Sequence, residues 1–99
     1  MCSPVVVQYI PCSHPDDEQL HEIAEWAVKK YNEQGHHLTL LRILDCEKQV
    51  VVAGINWRLL LKCRDENNGE NHYYETVVYD KPREHLRELI YFHRLYPHE

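Results

Sequence analysis

The chain has 99 residues, enough for one domain, of which 43% are hydrophobic and 27% are charged. This balance suits a folded globular protein and argues against a disordered one. The net charge of -5, with no basic stripe, argues against nucleic-acid binding, because that affinity depends on neutralising phosphates. No run of about 18 apolar residues is present, so we expect no membrane span.

We expect a single domain over residues 1–99, with residues 1–6 forming a flexible trunk. The apolar stretch Pro4-Val5-Val6-Val7 is too short for the core of a signal peptide, and neither Lys nor Arg precedes it. The sequence as written therefore predicts a cytoplasmic protein, or a secreted one if the chain is a processed form.

The first predicted elements are a short strand and a long helix. Residues 5–10 are mostly β-branched and end at Pro11, which is typical of an edge strand. Asp16 or Asp17 is expected to cap a helix over residues 17–33, and Gly35 is expected to close it. The apolar residues of this segment share one helix face: Leu20, Ile23, Ala24, Ala27, Val28 and Tyr31.

After residue 37 the hydrophobic period changes to two, which predicts strands. We place them at residues 38–52, 55–64, 72–80 and 88–95, separated by turns near residues 52–54, 67–69 and 81–84. One helix followed by four strands joined by short turns predicts an α+β fold with an antiparallel meander. The apolar helix face needs a partner, so the helix should cover one face of the sheet.

Eight histidines invite the hypothesis of an active or metal site. His36 and His37 are adjacent, and on a strand their rings would point to opposite faces and would not converge on one metal ion. The sequence has no nucleophile elbow, no phosphate-binding glycine loop and no zinc-protease motif. We therefore predict that the protein is not an enzyme and that it needs no metal and no cofactor.

Four cysteines lie far apart, at Cys2, Cys12, Cys46 and Cys63, and none belongs to a C-x-x-C pair. That spacing does not match a zinc or redox site. We expect reduced, partly buried thiols. A Cys46–Cys63 bridge is the alternative, because both residues lie on neighbouring predicted strands.

Three segments resemble the plant cystatins. Residues 23–32, Ile-Ala-Glu-Trp-Ala-Val-Lys-Lys-Tyr-Asn, resemble the helix signature of that family, with Trp26 where Phe or Tyr is usual. Residues 48–59 resemble its Gln-Val-Val-Ala-Gly hairpin and the strand that follows. Residues 77–86 resemble the strand and loop that carry its Pro-Trp pair. The order and spacing match over residues 7–95.

The resemblance implies a cystatin-like fold, with one long α-helix packed on a 4–5-stranded antiparallel β-sheet. It also implies a reversible, tight-binding inhibitor whose partner is a papain-like cysteine protease. The N-terminal trunk and two hairpin loops of such an inhibitor occlude the active-site cleft, and a glycine in the first loop permits a sharp turn. The protease-binding residues carried over are Val7, Gln8, Tyr9, Gln49, Val50, Val51, Val52, Ala53, Gly54, Pro82 and Arg83.

All three contact elements depart from the family pattern. Val7 and Gln8 stand where trunk glycines are usual, and Arg83 stands where the family has Trp. The first loop has one extra valine, taken up either as a bulge or as a tip displaced by about 3 Å. The alternative function is therefore a cystatin-fold protein-interaction module with lost or retuned inhibition. We expect a monomer, with a domain-swapped dimer as the alternative.

Overall fold

The computed structural model describes residues 8–12 and 18–96. Five strands form one antiparallel sheet in the order β1-β2-β3-β4-β5, and one helix, α1, packs on it. The predicted α+β fold, a helix on an antiparallel meander, is confirmed. The elements are β1 (Ile10–Pro11), α1 (Glu18–Asn32), β2 (Leu38–Val51), β3 (Gly54–Asp65), β4 (Glu70–Lys81) and β5 (Leu86–Leu95), with a 3-10 turn (Pro82–Glu84) between β4 and β5.

The helix buries the face that its apolar spacing predicts: Leu20, Ile23, Ala24, Ala27 and Val28. Tyr31, the last residue of that stripe, is half-buried and stacks on Phe92 of β5 with ring centroids 4.2 Å apart. Gly35 takes a positive φ of 105° just after the helix, as predicted. The predicted caps Asp16 and Asp17 lie outside the described residues.

The core lies between α1 and the inner face of the sheet. Along β3 the buried side chains alternate, with Trp57, Leu59, Leu61 and Cys63 facing the helix and Arg58 on the outer face. Asn32 at the end of α1 fixes the start of β2. Its side-chain amide donates to the Leu38 carbonyl at 2.9 Å and its oxygen accepts from the Leu38 N–H at 2.8 Å.

β3, β4 and β5 are longer than the hydrophobic pattern predicts, mainly because polar residues continue the pairing at their ends, whereas β2 ends one residue earlier, at Val51. β1 pairs only at Ile10 and Pro11, while residues 5–7 lie outside the described part. The strand ends at Pro11 as predicted, and Pro11 is itself paired, since an edge position needs no N–H from proline. Two register shifts, at Leu40/Arg42 and Ile43/Asp45, mark bulges in β2. No helix in the described residues has the length and apolar character that crossing a membrane requires.

Candidate functional site

The β2–β3 and β4–β5 turns lie at the same end of the sheet. Ile55 pairs with Asp80, so the two turns rise from adjacent strands, β3 and β4. The N-terminal side of β1 lies toward the same end, because β1 runs antiparallel to β2 and Ile10 pairs with Lys48. We call this end the loop edge and define it by residues 8–9, 49–54 and 81–85. Of the predicted site residues, Val7 lies outside the described part, and the other ten lie on the loop edge.

The tip of the β2–β3 hairpin is a tight turn formed by Val52 and Ala53. Strand pairing continues without interruption from Asp45–Leu60 to Val51–Gly54, so of the two alternatives for the extra valine the bulge in this turn is wrong. The extra valine instead belongs to a regular, longer hairpin. Val52 is 92% exposed and Val50 is 55% exposed, so the tip presents apolar side chains to solvent.

Gly54 has a different role from the one predicted. The positive φ of the turn falls on Ala53, at 63°, whereas Gly54 belongs to β3 and does not need a left-handed conformation. A Cβ at Gly54 would lie 2.8 Å from the Asp80 carbonyl oxygen and 2.8 Å from the Tyr79 ring. Glycine is thus required for the close approach of β4. The prediction that it permits the sharp turn is wrong.

Side chains from β3 and β4 brace the first hairpin. The Tyr79 hydroxyl donates to the Val52 carbonyl at 3.4 Å, a contact that joins β4 to the turn tip. The Asn56 side-chain amide donates to the Gln49 side-chain oxygen at 3.0 Å across β2 and β3. These contacts hold the hairpin in one geometry before any partner binds.

The β4–β5 turn exposes Pro82 and Arg83. It is a single 3-10 turn closed by His85, whose left-handed backbone (φ 52°, ψ 34°) lets its N–H donate to the Pro82 carbonyl at 3.1 Å. Lys81 and Glu84 form an ion pair with each other. Within the described residues Arg83 forms no ion pair, so its guanidinium is the unpaired cation of this turn.

A buried ion pair anchors the base of the same turn. The Arg87 Nε donates to the Asp80 carboxylate at 3.0 Å, and the Asp80 side chain is only 6% exposed. Arg87 also lies 3.5 Å from the Glu22 carboxylate and 5.7 Å from the centre of the Trp26 ring, both on α1. A buried carboxylate needs such a partner, because the desolvated charge is otherwise costly. Arg87 therefore ties the turn to the helix.

The start of β1 brings Gln8 and Tyr9 to the loop edge. Gln8 is exposed, while Tyr9 is half-buried with the Arg58 guanidinium 5.7 Å from its ring centre. Burial raises the pKa of Tyr9, and the positive charge of Arg58 partly opposes this. Tyr9 thus covers part of the outer sheet face instead of projecting freely.

Tyr9 belongs to a charged cluster on the outer face. The Arg58 guanidinium lies 3.3 Å from the Glu75 carboxylate and 3.6 Å from that of Glu47. The Tyr91 hydroxyl donates to Glu75 at 2.8 Å. Burial, together with this hydrogen bond to the Glu75 carboxylate, raises the pKa of Tyr91 to about 12. The cluster links Tyr9, just before β1, to β2, β3, β4 and β5 on the side away from the helix.

Of the three cysteines in the described residues, the predicted reduced thiol is wrong at Cys12 and Cys46, while Cys2 lies outside the described residues. Cys12 and Cys46 form a disulfide with Cα atoms 5.4 Å apart, so neither is a reduced thiol. The alternative Cys46–Cys63 bridge is also wrong, since Cys46 pairs with Leu59 whereas Cys63 pairs with Leu40. Four residues of β3 separate the two positions by about 13 Å. Cys63 is a free, fully buried thiol.

The histidine pair lies at the opposite end of the sheet from the loop edge. The His36 ring stacks on Tyr31 with centroids 3.8 Å apart, and His37 is exposed. Among the described residues no group of three or more His, Cys, Asp or Glu side chains is arranged to hold a metal ion.

Comparison with known proteins identifies the family. A family model described as aspartic acid proteinase inhibitor (SQAPI) matches residues 13–95. The chain belongs to the cystatin-like SQAPI family. This membership makes it a proteinase inhibitor by family and not an enzyme, and it confirms the predicted resemblance to cystatins.

Relatives of this SQAPI-family chain include plant proteins named for another protease class. The chain is 38% identical over 80 residues to "Putative cysteine proteinase inhibitor 7" of Oryza sativa subsp. japonica, covering 78% of this chain and 67% of that protein. It is 36% identical over 83 residues to "Cysteine proteinase inhibitor 5" of Arabidopsis thaliana, covering 83% and 66%.

The SQAPI-family chain also has the fold of solved cystatins. A salivary cystatin of the soft tick Ornithodoros moubata superposes with a TM-score of 0.78 at 15% identity, covering 93% of this chain and 100% of that one. This confirms the cystatin-like fold, and at that identity it carries the fold alone.

Proposed function

We propose that the chain is a reversible, tight-binding inhibitor of papain-like cysteine proteases that inserts its loop edge into the active-site cleft. The observation that carries the proposal is the convergence of two tight turns and the start of β1 at one end of a single sheet. Plant relatives at 36–38% identity named as cysteine proteinase inhibitors support the target class.

Occlusion follows from the rigidity of this edge. Val52 projects from a turn whose flanking residues, Val51 and Gly54, are paired, so the tip peptide is held in a turn and not in an extended conformation. Because the hairpin tip is already ordered in the folded protein, binding costs little further conformational entropy. A modest apolar surface can therefore bind tightly. The exposed side chains of Val50 and Val52 supply that apolar surface.

The second turn adds a cation to the apolar tip. Arg83 is exposed and unpaired among the described residues, so a carboxylate on the rim of the protease cleft is its natural partner. Where the family has a flat aromatic anchor, this chain therefore offers a charged one. The proposed contact set is the one given by the resemblance: residues 7–9 and 49–54 together with Pro82 and Arg83.

Titration against papain tests the proposal. We expect inhibition with a dissociation constant below ~10 μM, which corresponds to about -7 kcal/mol. Val52→Asp at the tip should weaken inhibition at least about tenfold, because it buries an unpaired carboxylate in the complex. Asn68→Asp adds the same charge at the opposite, β3–β4 end and should leave inhibition unchanged. Absence of inhibition at ~10 μM, or equal effects of the two variants, would contradict the proposal.

A second candidate is inhibition of aspartic proteases by the same edge. It rests on one observation, the description of the family model that matches residues 13–95. Assaying a pepsin-class protease active near pH 5 beside papain, with the same two variants, separates the candidates. Inhibition of the aspartic protease alone, lost in Val52→Asp, would replace the first proposal with this one.

A further inference from the structure

The Cys12–Cys46 disulfide is the covalent link between the strand nearest the N-terminus and the body of the sheet. It joins residues 34 positions apart, and it lies immediately after β1 in sequence. The Cys12 N–H donates to the Cys46 carbonyl at 3.0 Å, in line with the two pairs of the β1–β2 ladder. The bridge therefore continues the pairing that directs Gln8 and Tyr9 to the loop edge.

Few non-covalent contacts hold residues 8–12 in place beside the disulfide. β1 has two paired residues, Ile10 is 51% exposed and Pro11 is exposed, so the strand buries little apolar surface. The other described contacts are the Tyr9 ring beside Arg58 and the packing of the partly buried Cys12 against the core. A two-residue ladder at a sheet edge opens readily when its covalent anchor is removed.

We propose that the Cys12–Cys46 bridge is a redox-sensitive tether, which holds residues 8–12 at the loop edge when oxidised and releases them when a dithiol reduces it. The effect of release on protease binding rests on the proposed function, whereas release itself does not. Once residues 8–12 are no longer pre-ordered, they must be ordered on binding, so the reduced form binds its target more weakly.

The reaction is a two-electron thiol–disulfide exchange. A thiolate of the dithiol attacks the Cys12 sulfur, which is the accessible one because Cys46 is 5% exposed while Cys12 is half-buried. Cys46 leaves as a thiolate and takes up a proton. The second thiol of the reductant then closes a cyclic disulfide and releases the Cys12 thiol. The protein gains two thiols and the dithiol is oxidised.

Cys63 does not compete in this exchange. It is 0% exposed, and burial, reinforced by the nearby charge of Glu25, raises its pKa to about 12, so near neutral pH it stays a thiol. It also lies about four strand residues from Cys46 along β3, out of reach of the bridge. Among the described cysteines, the tether therefore opens and closes between one pair of sulfurs.

Two measurements on the full chain test the tether without any protease. Protein purified without reductant, then denatured, should titrate two thiols of its four cysteines, and four after treatment with dithiothreitol. Hydrogen exchange at the Cys12 amide should accelerate at least about tenfold on reduction, while α1 amides keep their protection. Four free thiols in the untreated protein, or unchanged exchange at Cys12, would overturn the proposal.

The effect of the bridge on protease binding is measured as inhibition of papain that has been activated and then desalted. Oxidised wild type should inhibit about tenfold more strongly than Cys12→Ser, and dithiothreitol should abolish that difference. Cys63→Ala is the matched control and should keep the full redox response. Equal inhibition by wild type and Cys12→Ser in both buffers would refute the positioning role. No inhibition by any form would contradict the proposed function. Hydrogen exchange at the Cys12 amide would still test the tether.

Discussion

Gly54 packs directly against Tyr79, with the position of a Gly54 Cβ only 2.8 Å from the Tyr79 Cε1 atom. The same tyrosine reaches past Gly54 to donate its hydroxyl to the Val52 carbonyl. One close contact between β3 and β4 thus sets the position of the exposed hairpin tip. The two turns of the loop edge are linked through this contact, since Tyr79 and Asp80 lead into the β4–β5 turn.

Gly54→Ala should destabilise the fold by about 1–3 kcal/mol, because the added methyl meets a backbone oxygen that cannot yield without moving β4. Urea unfolding of the two proteins measures the difference. We also expect weaker inhibition, since the tip must shift with the strand. Unchanged stability would show that the close approach does not exist in solution.

Ala53→Gly is the matched change one residue earlier, and we expect it to stabilise the fold, whereas Gly54→Ala destabilises it. Ala53 has a φ of 63°, which glycine adopts without the cost that a Cβ brings. We expect a gain of about 0.5–1 kcal/mol after allowing for the greater freedom of glycine in the unfolded chain. Equal destabilisation by both variants would mean that Ala53 does not carry the strained backbone of the turn, or that Gly54 is not needed for the close approach of β4.

Arg87→Met should cost about 2–4 kcal/mol, because it leaves the buried Asp80 carboxylate without its partner. Thermal unfolding should register this as a fall in melting temperature of about 4–8 °C per kcal/mol. Arg64→Met is the control: its pair with Glu66 spans 4.0 Å with both side chains 49% exposed. That variant should change stability by no more than about 0.5 kcal/mol.

A second substitution tests whether the unpaired Asp80 charge causes the loss of stability in Arg87→Met. Adding Asp80→Asn to Arg87→Met removes the unpaired charge, so the double variant should be more stable than Arg87→Met alone. A double variant that is less stable, by the sum of the single effects, would mean that the two side chains do not interact.

Tyr91→Phe should reduce stability near neutral pH by about 1–2 kcal/mol through loss of the hydrogen bond to Glu75. The pKa of Tyr91 is raised from 10.0 to about 12, so the folded state holds the phenolic proton more firmly than the unfolded state does. Its contribution is therefore complete below pH 10 and is lost as the pH rises toward 12.

Unfolding free energies measured from pH 8 to pH 11.5 should fall more steeply for wild type than for Tyr91→Phe. Tyr73→Phe is a suitable control, because Tyr73 is 50% exposed on the neighbouring strand. Its pH profile should follow wild type. Parallel profiles for wild type and Tyr91→Phe would contradict the raised pKa.

The helix and the meander could be predicted from the sequence, because hydrophobic period is a local property. The stripe from Leu20 to Val28 and the alternation along β3 both reflect burial on one face. Strand ends were less predictable, since polar residues such as Glu70 and Asn71 pair without contributing to the pattern.

Contacts that depend on register were not predictable. Cys46 lies opposite Leu59 only because the turn is formed by Val52 and Ala53, and Cys12 reaches Cys46 only through a two-pair ladder at the edge. The Asp80–Arg87 pair is likewise set by the length of the β4–β5 turn. The residues of the loop edge came from the resemblance to cystatins, because exposed turn residues leave no periodic signal.

Arg83→Trp combined with deletion of Val52 should strengthen inhibition of papain, because it restores the hairpin length and the aromatic anchor that the family pattern has. An interface aromatic commonly contributes ~2 kcal/mol or more, so Arg83→Trp alone should tighten inhibition about thirtyfold. Inhibition constants of the parent, both single variants and the double variant separate the two effects.

Arg83→Ala distinguishes a gain from tryptophan from a mere loss of positive charge. If arginine pairs with a carboxylate on the cleft rim, Arg83→Ala should bind more weakly than the parent, and the difference should shrink as salt is raised. Arg83→Trp should show little salt dependence, since its gain comes from apolar burial. A parent already as potent as Arg83→Trp would mean that arginine serves this turn as well as the aromatic residue does, and the departure at Arg83 would then be a difference in target preference rather than a weakening.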